Sequence, residues 1–351
     1  MMAKELHYST ELIINREQKM KRFEIVDFLK GYSIFTILIF HYLQYLQLPN
    51  PFDKIIFFGG TGVHLFVFLS GFGLYYSYNK KPIKYSLFLK RRITKIYIPY
   101  IFVVLLSAIL SVFIPVYHNS FYALGGHIFL YKMFDESIIG SYGYQLWFIS
   151  MILQFYLTFY IIIWLKSKLK NKLFLISGFV ISIGWATLVF LINKEDARIW
   201  NSFFLQYYWE FALGIIIAEK VSKNEKIISI KANQFLLLTA GLLCSSVYGF
   251  LALKGGAVGK LYNDIFAFSG YTLLAIFLYH LRLKPINQFF VFVGEISLPV
   301  YLLHILVLFT LSALINNLSS IYIVILSIIV IIPISFVYQR LITAFFKISK
   351  L

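Results

Sequence analysis

Three histidines lie within long apolar stretches of the sequence, where ionisable side chains are costly. His41 lies in FTILIFHYLQY, His64 in GVHLFVFLSGFG and His304 in SLPVYLLH. Such groups in a membrane span usually face a cavity or a polar partner rather than lipid. At 1.5 Å per residue, the three lie ~10, ~14 and ~9 Å from the expected outer ends of their spans. Their similar depths allow them to converge, although each could instead be a packing histidine bonded to a backbone carbonyl or a tyrosine.

A carboxylate in the same outer half of the apolar region, Glu210 in YYWEFALG, could orient a histidine ring. A neutral imidazole can take a proton from a hydroxyl or thiol and return it, which suits acyl transfer to an alcohol. Zinc is an alternative ligand for clustered histidines, but no two histidines have the i, i+4 spacing of a helical zinc site. We therefore expect no metal and no permanently bound cofactor.

Basic residues cluster where the first and third apolar stretches begin. Lys30 lies at the inner end of the first stretch, and Lys90, Arg91, Arg92 and Lys95 precede the third. Arginine offers a bidentate fork to phosphate and lysine a point charge, so the cluster could bind an anionic cosubstrate that enters from the cytosol. Basic residues that flank spans also set membrane topology and bind anionic lipid headgroups, which is the alternative interpretation.

The composition predicts a membrane protein. The chain has 351 residues, of which 60% are hydrophobic, 19% aromatic and 13% charged, whereas a globular domain is about 45–50% apolar and about 25% charged. This composition excludes a soluble protein. The formal net charge of +17 is expected in cytoplasmic loops and not at a nucleic-acid interface. The single cysteine, Cys244, excludes an intrachain disulfide and a cysteine zinc cluster.

Ten apolar segments predict an all-α polytopic membrane protein with about ten transmembrane helices. These segments are residues 28–48, 55–77, 97–115, 144–165, 173–192, 203–219, 233–253, 263–281, 286–310 and 320–345. The sequences GGTG in the second segment and SLP in the ninth predict interruptions, and interrupted helices in membranes tend to line cavities.

The distribution of basic residues predicts that both termini are cytoplasmic. With this orientation, 26 of the 32 lysines and arginines fall on the inside and 6 on the outside. No cleavable signal peptide is expected, because the basic N-terminal residues are not followed by a short apolar core with a cleavage site. We predict a cytoplasmic N-terminal segment (1–27), a single ten-helix membrane domain (28–345) and a cytoplasmic tail (346–351).

Six segments resemble, in the same order, the landmarks of acyltransferase family 3. EIVDFLKGYSIFTILIFHY is similar to the first-span signature of an acidic residue, a basic residue and, after ten positions, a histidine; here these are Asp27, Lys30 and His41. GVHLFVFLSGFGL resembles the second-span motif that ends in Ser-Gly-Phe, with Ser70 as its serine. FLKRRITKIYIPY resembles the arginine-rich segment before a proline, and QLWFISMILQFYL, YYWEFALGI and GEISLPVYLLH resemble the remaining landmarks.

Three positions differ from the residues that the family often has. Lys30 and Lys95 stand where arginine is common, which keeps the charge and loses the fork. His64 stands where many members have aspartate.

The resemblance implies a membrane-bound O-acyltransferase of the cell membrane. Its donor would be cytoplasmic acetyl-CoA, a cosubstrate, and its acceptor a hydroxyl of a surface or lipid-linked polysaccharide such as capsule or exopolysaccharide. The extracytoplasmic hydrolase-like domain of some relatives is not expected here, which implies a stand-alone O-acetyltransferase.

We predict roles for individual residues on this basis and from their positions in the sequence. His41 would be the principal catalytic residue, as general base or acyl carrier, and Glu210 or Asp27 would support it. The CoA phosphates would be bound by Lys30, Arg91, Arg92 and Lys95, and the substrate cavity would be lined by His64, Ser70 and His304.

Other interpretations of several features stay open. Ser70, beside glycine, could serve helix packing. Four aromatic residues could stack on sugar faces, but interfacial anchoring is the favoured interpretation: Trp147, Tyr207, Tyr208 and Trp209. The competing function is a secondary transporter or a flippase of a lipid-linked sugar, which inverted repeats would favour, and we find none. A membrane scaffold or sensor is the third class, and it would leave the spacing of Lys30 and His41 unexplained.

Overall fold

The computed structural model describes residues 2–50, 52–225 and 233–349, and this part of the chain is helical without a β-strand. Short 3-10 turns at Ile56–Thr61, Tyr131–Phe134 and Tyr144–Leu146 lie between some of the α-helices. The α-helices are α1 (Met2–Tyr45), α2 (Phe52–Ile55), α3 (Gly62–Lys80), α4 (Tyr85–Phe113), α5 (Phe121–Ile128), α6 (Trp147–Lys168), α7 (Asn171–Leu191), α8 (Arg198–Asn201), α9 (Tyr208–Ser222), α10 (Gln234–Lys254), α11 (Gly256–Tyr262), α12 (Asp264–His280), α13 (Lys284–Glu295), α14 (Ser297–Leu314) and α15 (Ser320–Ile348). The predicted all-α class is confirmed.

Within the described ranges, eight helical segments are long and apolar enough to cross a membrane. They are Glu24–Tyr45, Phe52–Lys80, Tyr85–Phe113, Tyr144–Lys168, Asn171–Leu191, Gln234–Lys254, Ser297–Leu314 and Ser320–Ile348. The sixth and eighth predicted spans correspond to α9 and α12, which have only 15 and 17 residues. The protein is therefore a multi-pass membrane protein, and two of its predicted crossings rest on helices shorter than the usual span of about 20 residues.

The ninth predicted span and the two predicted terminal segments have different bounds in the structure. The predicted span 286–310 is two helices, because α13 ends at Glu295 and α14 begins at Ser297. Pro299 lies in the first turn of α14, where a missing backbone N–H is tolerated. The N-terminal segment 1–27, predicted to be cytoplasmic, belongs to the same helix as the first span, since α1 is continuous from Met2. In the predicted tail, α15 continues to Ile348, and residues 350–351 lie outside the described residues.

Glycines allow α3 and α9 to cross at close range. A Cβ atom on Gly71 would meet the carbonyl oxygen of Phe211, and one on Gly214 would meet the carbonyl oxygen of Phe68. Small residues at such crossings let the helix backbones approach closely in a membrane. The crossing fixes the positions of two polar side chains: Glu210, one turn before Gly214 on α9, and His64, two turns before Gly71 on α3.

The interior of the bundle is formed around α6 and α14, which bury half or more of their residues. In contrast, α10 exposes large apolar side chains, among them Phe235, Leu243 and Phe250. A membrane would cover such a surface, and this asymmetry leaves the polar residues of the inner helices to face one another.

Candidate active site

A cavity of about 1680 Å³ lies inside the bundle between α1, α3, α4, α6 and α15. One end is lined by His41, His64 and Arg198, and the other by Lys30 and Arg92. On α1, Lys30 and His41 are eleven positions apart, which is ~16 Å along the helix axis. The cavity therefore joins a histidine end to a basic end across much of the expected thickness of the membrane.

His41 and His304 converge, as their predicted depths allowed. Their ring centroids are 5.3 Å apart and the ring planes differ by 28°. The Nδ1 atom of His41 lies 3.3 Å from Oε1 of Gln44, one turn later on α1, and the Tyr144 ring lies 5.0 Å from the His41 ring. Because an amide oxygen only accepts hydrogen bonds, this contact places the proton on Nδ1 and the lone pair on Nε2.

His304 packs behind His41 and does not line the cavity wall, which corrects its predicted place. It is fully buried, and its Nδ1–H donates to the carbonyl oxygens of Tyr301 at 2.8 Å and Val300 at 3.1 Å. These bonds fix the tautomer, so that Nε2 carries a lone pair and has no hydrogen-bond partner in the described part of the chain. The Tyr42 hydroxyl donates to the His304 carbonyl at 3.0 Å and ties α14 to α1.

Glu210 pairs with His64 and not with His41. Its Oε1 atom lies 2.7 Å from Nδ1 of His64, and the carboxyl group is fully buried. On the other side of the ring, Nε2 of His64 lies 3.9 Å from Oδ1 of Asp264. The Gln206 amide donates to Oδ2 of Asp264 at 2.8 Å. The predicted support of His41 by Glu210 is therefore wrong: Glu210 and Asp264 instead lie on either side of the His64 ring, and His64 lines the same end of the cavity as His41.

Asp264 was missed by the sequence prediction, although a signal for it exists. It is an acidic residue near the start of the eighth predicted apolar segment, at the first position of α12. An ionisable group at this position indicates a polar site as strongly as Glu210 does, because a carboxylate at the edge of a span also tends to have a polar partner.

Asp27 is too far from His41 to support it. It pairs with Lys30 at 3.1 Å, and it precedes His41 by 14 positions on the same helix, which is ~21 Å along the helix axis. Asp27 therefore lies at the basic end of the cavity and not beside His41, where its predicted catalytic role would require it.

The predicted phosphate-binding residues do come together at that basic end. Lys30 on α1 and Arg91, Arg92 and Lys95 on α4 all line the cavity. Lys95 interacts electrostatically with Arg92 and Lys30. Lys347 of α15 also lines this end, whereas its place in the sequence indicated only a topological residue. The excess of positive charge over the local carboxylates suits a polyphosphate.

Ser70 lines the cavity, but its hydroxyl donates to the Phe66 carbonyl oxygen of its own helix at 2.8 Å. Of the four aromatic residues noted in the sequence, Trp147 and Tyr207 line the cavity and stack with centroids 6.5 Å apart. Tyr208 and Trp209 are buried in the core. These last two residues therefore neither anchor the protein at the interface nor reach a sugar.

The structure defines a polytopic helical membrane protein with a cavity among its helices that histidine and basic side chains help to line. The chain matches the family model of the acyltransferase domain Acyl_transf_3 over residues 23–340. It belongs to acyltransferase family 3 and is a membrane acyltransferase. No curated protein and no solved structure matches the chain.

Proposed function

We propose that the protein moves an acetyl group from cytoplasmic acetyl-CoA to a hydroxyl of a surface or lipid-linked polysaccharide in the cell membrane. The observation that carries this proposal is the cavity that reaches both the basic end and His41. Such a shape lets a donor enter from one side of the membrane while an acceptor reaches the reacting carbon from the other.

The donor would bind with its phosphates at the basic end. Arg91 and Arg92 offer guanidinium forks and Lys30 and Lys95 offer ammonium groups to these phosphates. The pantetheine arm would then extend along the cavity over the ~16 Å between Lys30 and His41 and bring the thioester to the imidazole.

In this mechanism, His41 handles the proton of the acceptor. Its Nε2 takes the proton of the hydroxyl as the oxygen attacks the thioester carbonyl, the carbon–sulfur bond breaks, and the CoA thiolate receives the proton from the imidazolium. The Gln44 contact holds the ring in the tautomer that this step needs. The same nitrogen would carry the acyl group if transfer used an acyl-enzyme intermediate.

The test is the base-labile acetyl content of surface polysaccharide, measured by proton NMR in a deletion strain that carries the wild-type gene, His41→Ala or His118→Ala. His118 lies in the loop after α4, away from the cavity, and serves as the matched control. We expect acetyl to return with the wild type and the control and not with His41→Ala at equal expression. Full restoration by His41→Ala would remove the proposed role of this residue.

Purified protein distinguishes the enzyme from a transporter. An enzyme converts acetyl-CoA to free CoA in the presence of acceptor, and the free thiol is measured directly. A flippase would move a lipid-linked sugar without consumption of acetyl-CoA, and that result would replace the proposal.

A further inference from the structure

We propose that Arg198 binds an acidic group of the acceptor, a carboxylate or a phosphate, at the histidine end of the cavity. This inference rests on the proposed function for its acceptor and adds the chemical class of that acceptor: an acidic glycan rather than a neutral one. It concerns the end of the cavity opposite the donor phosphates.

Arg198 lies where an acceptor would meet His41. It lines the cavity together with His41, Trp147 and Tyr207, and it interacts electrostatically with His41 and Tyr207. Its guanidinium carbon lies 5.2 Å from the centroid of the Trp147 ring. Such a cation–π contact holds the guanidinium near the indole without use of its N–H donors.

Three carboxylates near this end of the cavity have other partners. Glu136 accepts hydrogen bonds from the backbone N–H groups of Arg198 at 2.8 Å and of Ile199 at 2.9 Å, so it fixes the backbone and not the guanidinium. Glu210 and Asp264 contact His64 on the other side of the site. In the described part of the chain, no ion pair joins a carboxylate to the Arg198 side chain. A cation that lines a cavity and has no ion pair with a carboxylate suits an anion that enters from outside the chain.

Arg198 differs in this respect from the other basic residues of the predicted outer side. Of those whose side chains the structure describes, it alone lines the cavity, whereas Lys54, Lys132, Lys194 and Lys254 do not. Trp147 and Tyr207 would suffice to stack on a neutral sugar. A guanidinium beside them adds discrimination for charge, because a neutral acceptor would leave it without a partner.

The test measures binding of three small probes to the full-length protein in nanodiscs of zwitterionic lipid by calorimetry. The probes are methyl glucoside, methyl glucuronide and glucose 6-phosphate, which differ in the presence and kind of the acidic group. For the wild type we expect at least one acidic probe to bind about tenfold more tightly than methyl glucoside, and this ratio to fall with added salt. The two acidic probes distinguish a carboxylate from a phosphate.

Two substitutions and one control assign this preference to the side chain. Arg198→Gln should abolish the preference for acidic probes, and Arg198→Lys, which keeps the charge and loses the fork, should retain part of it. Lys194→Gln, in the loop just before α8 and outside the cavity, should leave it unchanged. The Lys variant keeps the test valid if the Gln variant unfolds.

Several results would overturn the inference: equal binding of the neutral and acidic probes to the wild type, no binding of either acidic probe at the highest soluble concentration, or an unchanged preference in Arg198→Gln. Loss of the preference in nanodiscs with anionic lipid would assign Arg198 to lipid headgroups instead. The proposed function is tested separately by release of free CoA. Turnover with a neutral acceptor and no acidic preference would refute the inference alone, and charge-selective binding without turnover would refute the proposed function alone.

Discussion

Nδ1 of His64 lies 2.7 Å from Oε1 of Glu210, and this contact joins α3 to α9 inside the bundle. The Glu210 side chain is fully buried, and its second oxygen, Oε2, has no hydrogen-bond partner among the described residues. A carboxyl group in this position depends on its one strong contact, since desolvation of a polar group is costly unless a partner compensates for it. The pair is therefore both a link between two helices and a candidate proton-handling group of the cavity.

Loss of the Glu210 carboxyl should destabilise the fold. Glu210→Ala leaves His64 without its partner and opens a gap, so we expect the free energy of unfolding to fall by about 3–5 kcal/mol. Glu210→Gln keeps the shape and one hydrogen bond, and should lose less stability. The measurement is the unfolding midpoint in detergent. Glu225→Gln, an exposed acid beyond the end of α9, is the control, and equal midpoints for all three variants would show that the contact stabilises nothing.

The helix crossing that holds this pair should not tolerate a side chain. In Gly214→Ala the new Cβ atom would meet the backbone oxygen of Phe68, which cannot rotate away, so we expect a loss of about 1–3 kcal/mol. Gly184→Ala on α7 is the matched control, because a Cβ atom added there would have no neighbour within 4 Å among the described residues. There the substitution should be neutral or stabilising by up to about 1 kcal/mol. A Gly214→Ala protein as stable as the control would contradict the close crossing.

Depth along the chain predicted part of the site and could not predict the rest. The similar depths of His41 and His304 anticipated their contact, because rise per residue fixes height in the membrane. The partner of Glu210 is decided by the rotation of each helix about its own axis. The depth of a residue in the membrane gives no information about this rotation. The distance between Asp27 and His41, in contrast, follows from the sequence alone, because both lie on α1 and their separation is set by the number of positions between them. The predicted support of His41 by Asp27 could therefore have been rejected before the structure was known.

The features of the fold that depend on apolar composition were predictable from the sequence. Those that depend on how the helices pack were less predictable. Long apolar runs predicted the eight long spans. The SLP sequence anticipated the break between α13 and α14, although the boundaries 286–310 joined them. The basic cluster was also found from the sequence, but the place of Lys347 beside it required the path of α15.

A buried lysine outside the spans should make stability depend on pH. Burial lowers the pKa of the Lys132 ammonium from 10.5 to about 7. The ammonium lies 3.4 Å from the Ile139 carbonyl oxygen, near His127 and the Tyr100 ring. Between these two pKa values the unfolded chain holds a proton that the folded chain has lost, so the free energy of unfolding rises with pH across that window.

Lys132→Met should remove this dependence and raise stability near pH 7, since no charge is then buried. For the wild type, the slope between pH 7 and 9 should approach about 1.4 kcal/mol per pH unit at most. Denaturant unfolding in detergent at several pH values measures it, with Lys194→Met as the exposed control. An identical slope in Lys132→Met would mean that another group titrates.

The basic end of the cavity should set the affinity for the donor. Arg92 is half-buried at the cavity wall and its guanidinium can hold a phosphate through charge-assisted hydrogen bonds. Arg92→Gln removes such bonds, each of which contributes about 1.5–3 kcal/mol, so we expect KM for acetyl-CoA to rise at least about tenfold while kcat changes little. Initial rates of CoA release measure both constants.

A matched control separates local binding from general electrostatic attraction. Lys84→Gln removes one positive charge at the start of α4, outside the cavity, and should leave KM nearly unchanged. Added salt should raise KM of the wild type more than that of Arg92→Gln, because the variant has already lost a charge–phosphate contact. A fall in kcat with KM unchanged would mean that Arg92 acts in the transition state or supports the cavity, and not in ground-state binding of the donor.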